Sequence, residues 1–78
     1  MIDMVKVNVK LDTITKVKDF VNTLVACPYD VDLISGRYVI DAKSIMGIFS
    51  LDLTKEIACT IHCESCDALL EKLKPFIV

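Results

Sequence analysis

Residues Met4 to Lys10 alternate, with Val5, Val7 and Val9 on one side and Lys6, Asn8 and Lys10 on the other. A period of two built on β-branched residues predicts a strand with one face in water. The period lengthens after Asp12 and Thr13. Ile14, Val17, Phe20, Val21, Leu24 and Val25 recur at steps of three and four, which places them on one helix face, while Lys16, Lys18, Asp19 and Asn22 fall on the other. Asp12 or Thr13 supplies the N-cap, because a short side-chain oxygen accepts from the unpaired amides of a first turn. Pro28 ends this helix.

Alternation returns with Tyr29, Val31 and Leu33 against Asp30 and Asp32. Ser35-Gly36-Arg37 then reads as a tight turn and Tyr38 to Ala42 as a returning strand, so Tyr29 to Ala42 is expected to form a hairpin. Ser44 opens and caps a helix of one to two turns reaching about Ser50. Ile57, Cys59, Ile61 and Cys63 alternate with Ala58, Thr60 and His62 in a fourth strand. Ser65 or Cys66 caps a last helix with the stripe Leu69, Leu70, Leu73 and Phe76, and Pro75 should loosen its final turn.

The order strand, helix, strand, strand, short helix, strand, helix has an economical solution. Four strands with one apolar face each form an antiparallel sheet, and the two longer helices cover that face, giving an α+β open-faced sandwich. Val7, Val17, Phe20, Leu24, Val31, Ile61, Leu69 and Leu73 are its expected core. With 78 residues and no linker, repeat or charge block, residues 1–78 read as one domain. An apolar content of 54% excludes a disordered chain and suits a domain too small to have much core to spare.

A net charge of −2 gives no reason to expect nucleic acid or an anionic membrane as partner. No apolar run is long enough to span a bilayer, and Lys6 and Lys10 interrupt the only early apolar stretch. The expected compartment is the cytosol. A domain with 6% aromatic residues and one histidine is better suited to presenting a surface than to enclosing a substrate.

The run Lys43-Ser44-Ile45-Met46-Gly47-Ile48-Phe49-Ser50-Leu51 is more specific. It resembles the regulatory-serine segment of HPr, the histidine phosphocarrier of the bacterial sugar phosphotransferase system. Phe20-Val21 and the Gly36 turn sit at that family's spacing, and element order and length agree along nearly the whole chain. The resemblance implies a βαββαβα sandwich. It also implies a phosphoacceptor histidine before the first helix, which would take phosphate from Enzyme I, followed by an arginine two residues on and a proline three residues on.

Counted without gaps, the histidine's place falls at Thr13, the arginine's at Thr15 and the proline's at Lys16; a shift of one puts Asp12 at the histidine's place. Neither threonine nor aspartate offers an imidazole nitrogen as nucleophile and leaving group. The first-turn amides still suit an anion. The resemblance further implies regulatory phosphorylation at Ser44, beside its capping role, and a docking patch of Ile45, Met46 and Phe49 for protein partners such as phosphotransferase components, a kinase or a transcriptional regulator.

Four cysteines have no place in that pattern. Cys63 and Cys66 form a C-x-x-C preceded by His62, but structural zinc needs four ligands, usually from two such pairs. Cys66, at a helix N-terminus, is expected to have the more acidic thiol. Otherwise Cys27 and Cys59 are buried apolar residues, Cys63 and Cys66 are reduced thiols, and His62 is a partly exposed residue on the polar face of its strand. The expected function is therefore that of an HPr-like, non-enzymatic interaction module without its active histidine, needing no cofactor or metal. The alternatives are a thiol or metal module built on Cys63 and Cys66, or a phosphocarrier with an acceptor near Asp12 or Thr13.

Overall fold

The structure is a computed structural model that describes residues 4–78. All seven expected elements form in the expected order: β1 (Val5–Val9), α1 (Ile14–Val25), β2 (Val31–Ser35), β3 (Tyr38–Asp41), α2 (Ile45–Phe49), β4 (Ile57–Ile61) and α3 (Asp67–Leu73). The strands make one antiparallel sheet in the order β1-β4-β2-β3. Strand β4 lies inside it, with Cys59 opposite Val7 on one side and Leu33 on the other.

Hairpin β2–β3 closes at Gly36 and Arg37, with Ser35 opposite Tyr38. Gly36 has φ +59°, and among the described residues no other residue has positive φ. Glycine in the first central position with a positive φ is what a type II′ hairpin turn requires.

One face of the sheet is covered. Val17, Phe20, Val21 and Leu24 of α1 and Leu69 and Leu73 of α3 are buried with Val9, Val31, Leu33, Ile57, Cys59 and Ile61 of the strands. The Phe20 and Phe76 rings meet edge to face, centroids 5.4 Å apart, joining α1 to the segment after α3. Phe76 was expected inside the last helix but lies beyond it. The helix ends at Leu73, Pro75 follows, and the Phe76 amide bonds back to the Leu73 carbonyl at 2.9 Å.

Several expectations shift at element ends. Ile14 and Val25 are exposed, because at about 100° per residue they stand roughly 70–90° from the centre of the buried stripe. Tyr29 precedes β2, and β4 stops at Ile61, leaving His62 and Cys63 in the connection to α3. Val7, on the edge strand β1, is only half-buried, and so is Cys27. Thr60 is buried on the uncovered face, between Lys6 and Asp32 on the flanking strands.

Replacing Phe20 with alanine removes a fully buried ring and its partner contact. Phe20→Ala is expected to lose about 3–5 kcal/mol of unfolding free energy in chemical denaturation.

Candidate functional site

Helix α1 begins where β1 has turned back over the sheet. Thr13 is its N-cap, in extended backbone (φ −133°, ψ 155°), and the Thr13 hydroxyl accepts the Lys16 amide at 3.1 Å. The Asp12 carboxylate pairs with the Lys16 ammonium at 3.1 Å, and the hydrogen bond from Lys16 holds this carboxyl below the usual aspartate range. Thr13, Thr15 and Lys16, on which the resemblance would place histidine, arginine and proline, are a cap, a first-turn residue and half of an ion pair. One first-turn amide, that of Lys16, is already taken by Thr13, so an anion would find fewer free donors here than an uncapped terminus presents.

Helix α2 is a second candidate region, its start lying by the end of α1 and not by Thr13. Ser44 caps it in extended backbone (φ −95°, ψ 101°), its hydroxyl accepting the Gly47 amide at 3.2 Å. Met46 is 80% exposed and Phe49 42%, while Ile48 is buried beneath them. Ile45, expected in the same patch, is half-buried against the core, so the outward surface is carried by Met46 and Phe49. Gly47 permits close seating on the sheet: a Cβ there would come within 2.6 Å of the Ile40 Cγ2. The Lys43 ammonium donates to the Cys27 carbonyl at 3.2 Å, tying the start of α2 to the end of α1.

His62, the only histidine, lies at the other end of the sheet. Val5 pairs with Ile61 and Val9 with Ile57, so His62 follows the β4 end beside the start of β1, whereas Thr13 follows the β1 end. The two thus follow opposite ends of β1, a strand spanning roughly 13 Å at about 3.3 Å per residue. The His62 Nε2 lies 2.8 Å from the Asp32 Oδ2, and its backbone amide donates to the Asp30 carbonyl at 2.9 Å. Both side chains are about one-third exposed, in an open cleft of about 410 Å³ that Asp30 and Asp41 also line. Three carboxylates around one imidazole oppose the approach of an anionic phosphoryl donor. The sequence put His62 and Asp32 on polar faces; their pairing needs the β2–β4 register.

The cysteines are free thiols. Cys59, Cys63 and Cys66 are buried and Cys27 half-buried. Cys66 does sit at the α3 N-cap, yet its side chain makes no cap hydrogen bond. Burial, with the Cys63 thiol beside it, pushes its thiol up to about 11, contrary to the expected acidification. Desolvation outweighs the short helix's dipole. Cys59, under the sheet, is pushed up to about 12 by burial. Among the described residues no group of three or more histidine, cysteine, aspartate or glutamate side chains is placed to hold a metal ion.

A four-stranded antiparallel sheet covered on one face, with capped helices α1 and α2 following β1 and β3, makes an α+β open-faced sandwich. The family description "PTS HPr component phosphorylation site" matches residues 14–78, beginning one residue after Thr13. The chain belongs to the HPr family. Among solved structures it is similar to HPr-C-His from Thermoanaerobacter tengcongensis (20% identity, 94% of this chain and 88% of that one, TM-score 0.72). It is also similar to a phosphocarrier protein HPr from Bacillus anthracis str. Ames (24% identity, 96% and 98% of the two chains, TM-score 0.72). No curated protein matches it. Among the described residues no helix is long and apolar enough to cross a membrane.

The thiols yield a two-part expectation. In the native protein at neutral pH, a thiol reagent should modify Cys27 first, with Cys59, Cys63 and Cys66 reacting only on unfolding. Both raised thiols bind protons more tightly folded than unfolded, so their contribution to stability is complete below an unfolded value near 9.0. It is lost as pH climbs towards 11–12, and thermal melts should show the midpoint falling from about pH 9 upward.

Proposed function

We propose that this HPr-family protein does not carry a phosphoryl group at the family's acceptor position and acts instead by docking protein partners through α2, with Ser44 as the residue through which docking is regulated. The observation that supports the reading is the start of α1: a threonine engaged in capping precedes the helix, at the place the resemblance assigns to an imidazole. His62 does not replace it, being at the opposite end of the sheet, paired with Asp32 and surrounded by carboxylates. The family segment from Lys43 to Leu51 is retained, and Met46 offers the kind of pliable apolar contact that protein interfaces use. Phosphate on Ser44 would add roughly two negative charges beside Met46 while leaving oxygens to accept the Gly47 amide. The partners this reading names are proteins of the phosphotransferase system, a kinase or a regulator, and the protein is not itself an enzyme.

Two measurements test it. Incubated with Enzyme I and phosphoenolpyruvate, the protein should gain no acid-labile phosphate by intact mass; label in the segment Leu11 to Lys16 would instead support the phosphocarrier reading. For the partner recovered from host lysate, Met46→Asp should weaken binding by about tenfold or more without altering the thermal midpoint. Ser44→Asp should change the set of partners captured. Unchanged capture by both folded variants rejects docking through α2.

A further inference from the structure

The two edges of the sheet are finished differently. Edge strand β1 is partly covered by the C-terminal residues: the Lys10 amide donates to the Phe76 carbonyl at 2.9 Å, the Val78 amide to the Asn8 carbonyl at 3.0 Å, and Val9 bridges Ile77. It also carries Lys6, a residue type that discourages pairing at an edge. Strand β3 has neither protection. Its sequence is Tyr38-Val39-Ile40-Asp41, with Tyr38 70% and Val39 65% exposed.

The register identifies which backbone groups of β3 are free. The Ala42 amide donates to the Val31 carbonyl at 2.9 Å, continuing the ladder in which Ile40 faces Leu33 and Tyr38 faces Ser35. Backbone groups alternate in direction along a strand, so Tyr38, Ile40 and Ala42 point to β2, and Val39 and Asp41 point to the open edge. The Asp41 carbonyl already accepts the Ser44 amide at 3.0 Å. The Val39 amide and carbonyl and the Asp41 amide have no backbone partner among the described residues.

We propose that the free edge of β3 pairs antiparallel with the same edge of a second copy of this chain, with Val39 opposite Val39 at the two-fold axis. This register satisfies three requirements together. It places each Val39 amide against the other copy's Val39 carbonyl, and each Asp41 amide against the other copy's Arg37 carbonyl. It keeps side chains on matching faces, with Tyr38 beside the second copy's Ile40 on the helix-covered side. It sets Arg37, which has no ion-pair partner among the described residues, opposite Asp41 of the second copy, twice by symmetry.

One Asp41 carboxylate oxygen accepts the Lys43 amide, leaving the other for that guanidinium. Centring on Ile40 instead would set Arg37 opposite Lys43 of the second copy, like charge against like, and leave Arg37 without a carboxylate. On the uncovered face the apolar row Ala58, Ile34, Val39 then continues into the same row of the second copy. A four-residue edge buries less than the ~1,200 Å² of a stable interface, so the dimer is weak and concentration-dependent.

Sedimentation of the full chain over concentrations up to millimolar tests this. The wild type is expected to shift from monomer to dimer, and Arg37→Asp to weaken the association at least tenfold. The charge-reversed double variant Arg37→Asp/Asp41→Arg should recover it. Val39→Pro, which removes an amide that β2 does not use, should give a folded monomer by circular dichroism; if that variant unfolds, the charge series still decides. A wild type that stays monomeric throughout overturns the proposal, as does a dimer unaffected by Arg37→Asp. Loss of the dimer with Met46→Asp alone would place the contact on α2 and likewise overturn it, whereas α2 docking of other proteins is judged separately by capture.

Discussion

Strand β4 pairs along its length with β1 and over four residues with β2, so it can stay in place only while both faces of its neighbours stay registered. Cys59 and Ile61 project beneath α1 and α3, and a slip of one residue would turn them into water and bring Ala58 and Thr60 inward. Register therefore couples the sheet to the helices that cover it. Phe20 is fully buried over that face, and its contact with Phe76 draws in the chain after α3, whose last residues bond to β1.

The same packing decides what the thiols can do. A cysteine at a helix N-terminus is acidified when water and the dipole reach it together. Here Cys66 is 4% exposed and Cys63 7%, and removing the thiolate from water costs more than one short helix returns. The C-x-x-C spacing is thus occupied by core residues. Spacing alone carried no information about their depth.

Placement also separates the two ends of the sheet. One end gathers the capped start of α1. The other gathers His62, Asp30, Asp32 and Asp41, where cross-strand Asp32 and Asp41 would repel each other and the imidazole beside Asp32 offers a hydrogen-bond partner. The HPr fold is compatible with an ordinary capped helix after β1, because the fold itself needs only a good N-cap there, which threonine supplies.

The element order, the period of each strand and helix, the Ser44 cap, the Gly36 turn and the absence of histidine before α1 were all legible in the sequence, because each depends on residues within one or two turns of one another. Composition and periodicity likewise marked most of the core. What needed the tertiary structure was everything set by pairing between distant segments: that β4 is interior and β3 a bare edge, that Ile14 and Val25 fall outside the buried stripe, that Ile45 turns inward while Met46 does not, and that His62 meets Asp32. A local pattern states which face of an element is apolar. Only the order of strands and the angle of the helices across them determine how much of that face is covered, and by what.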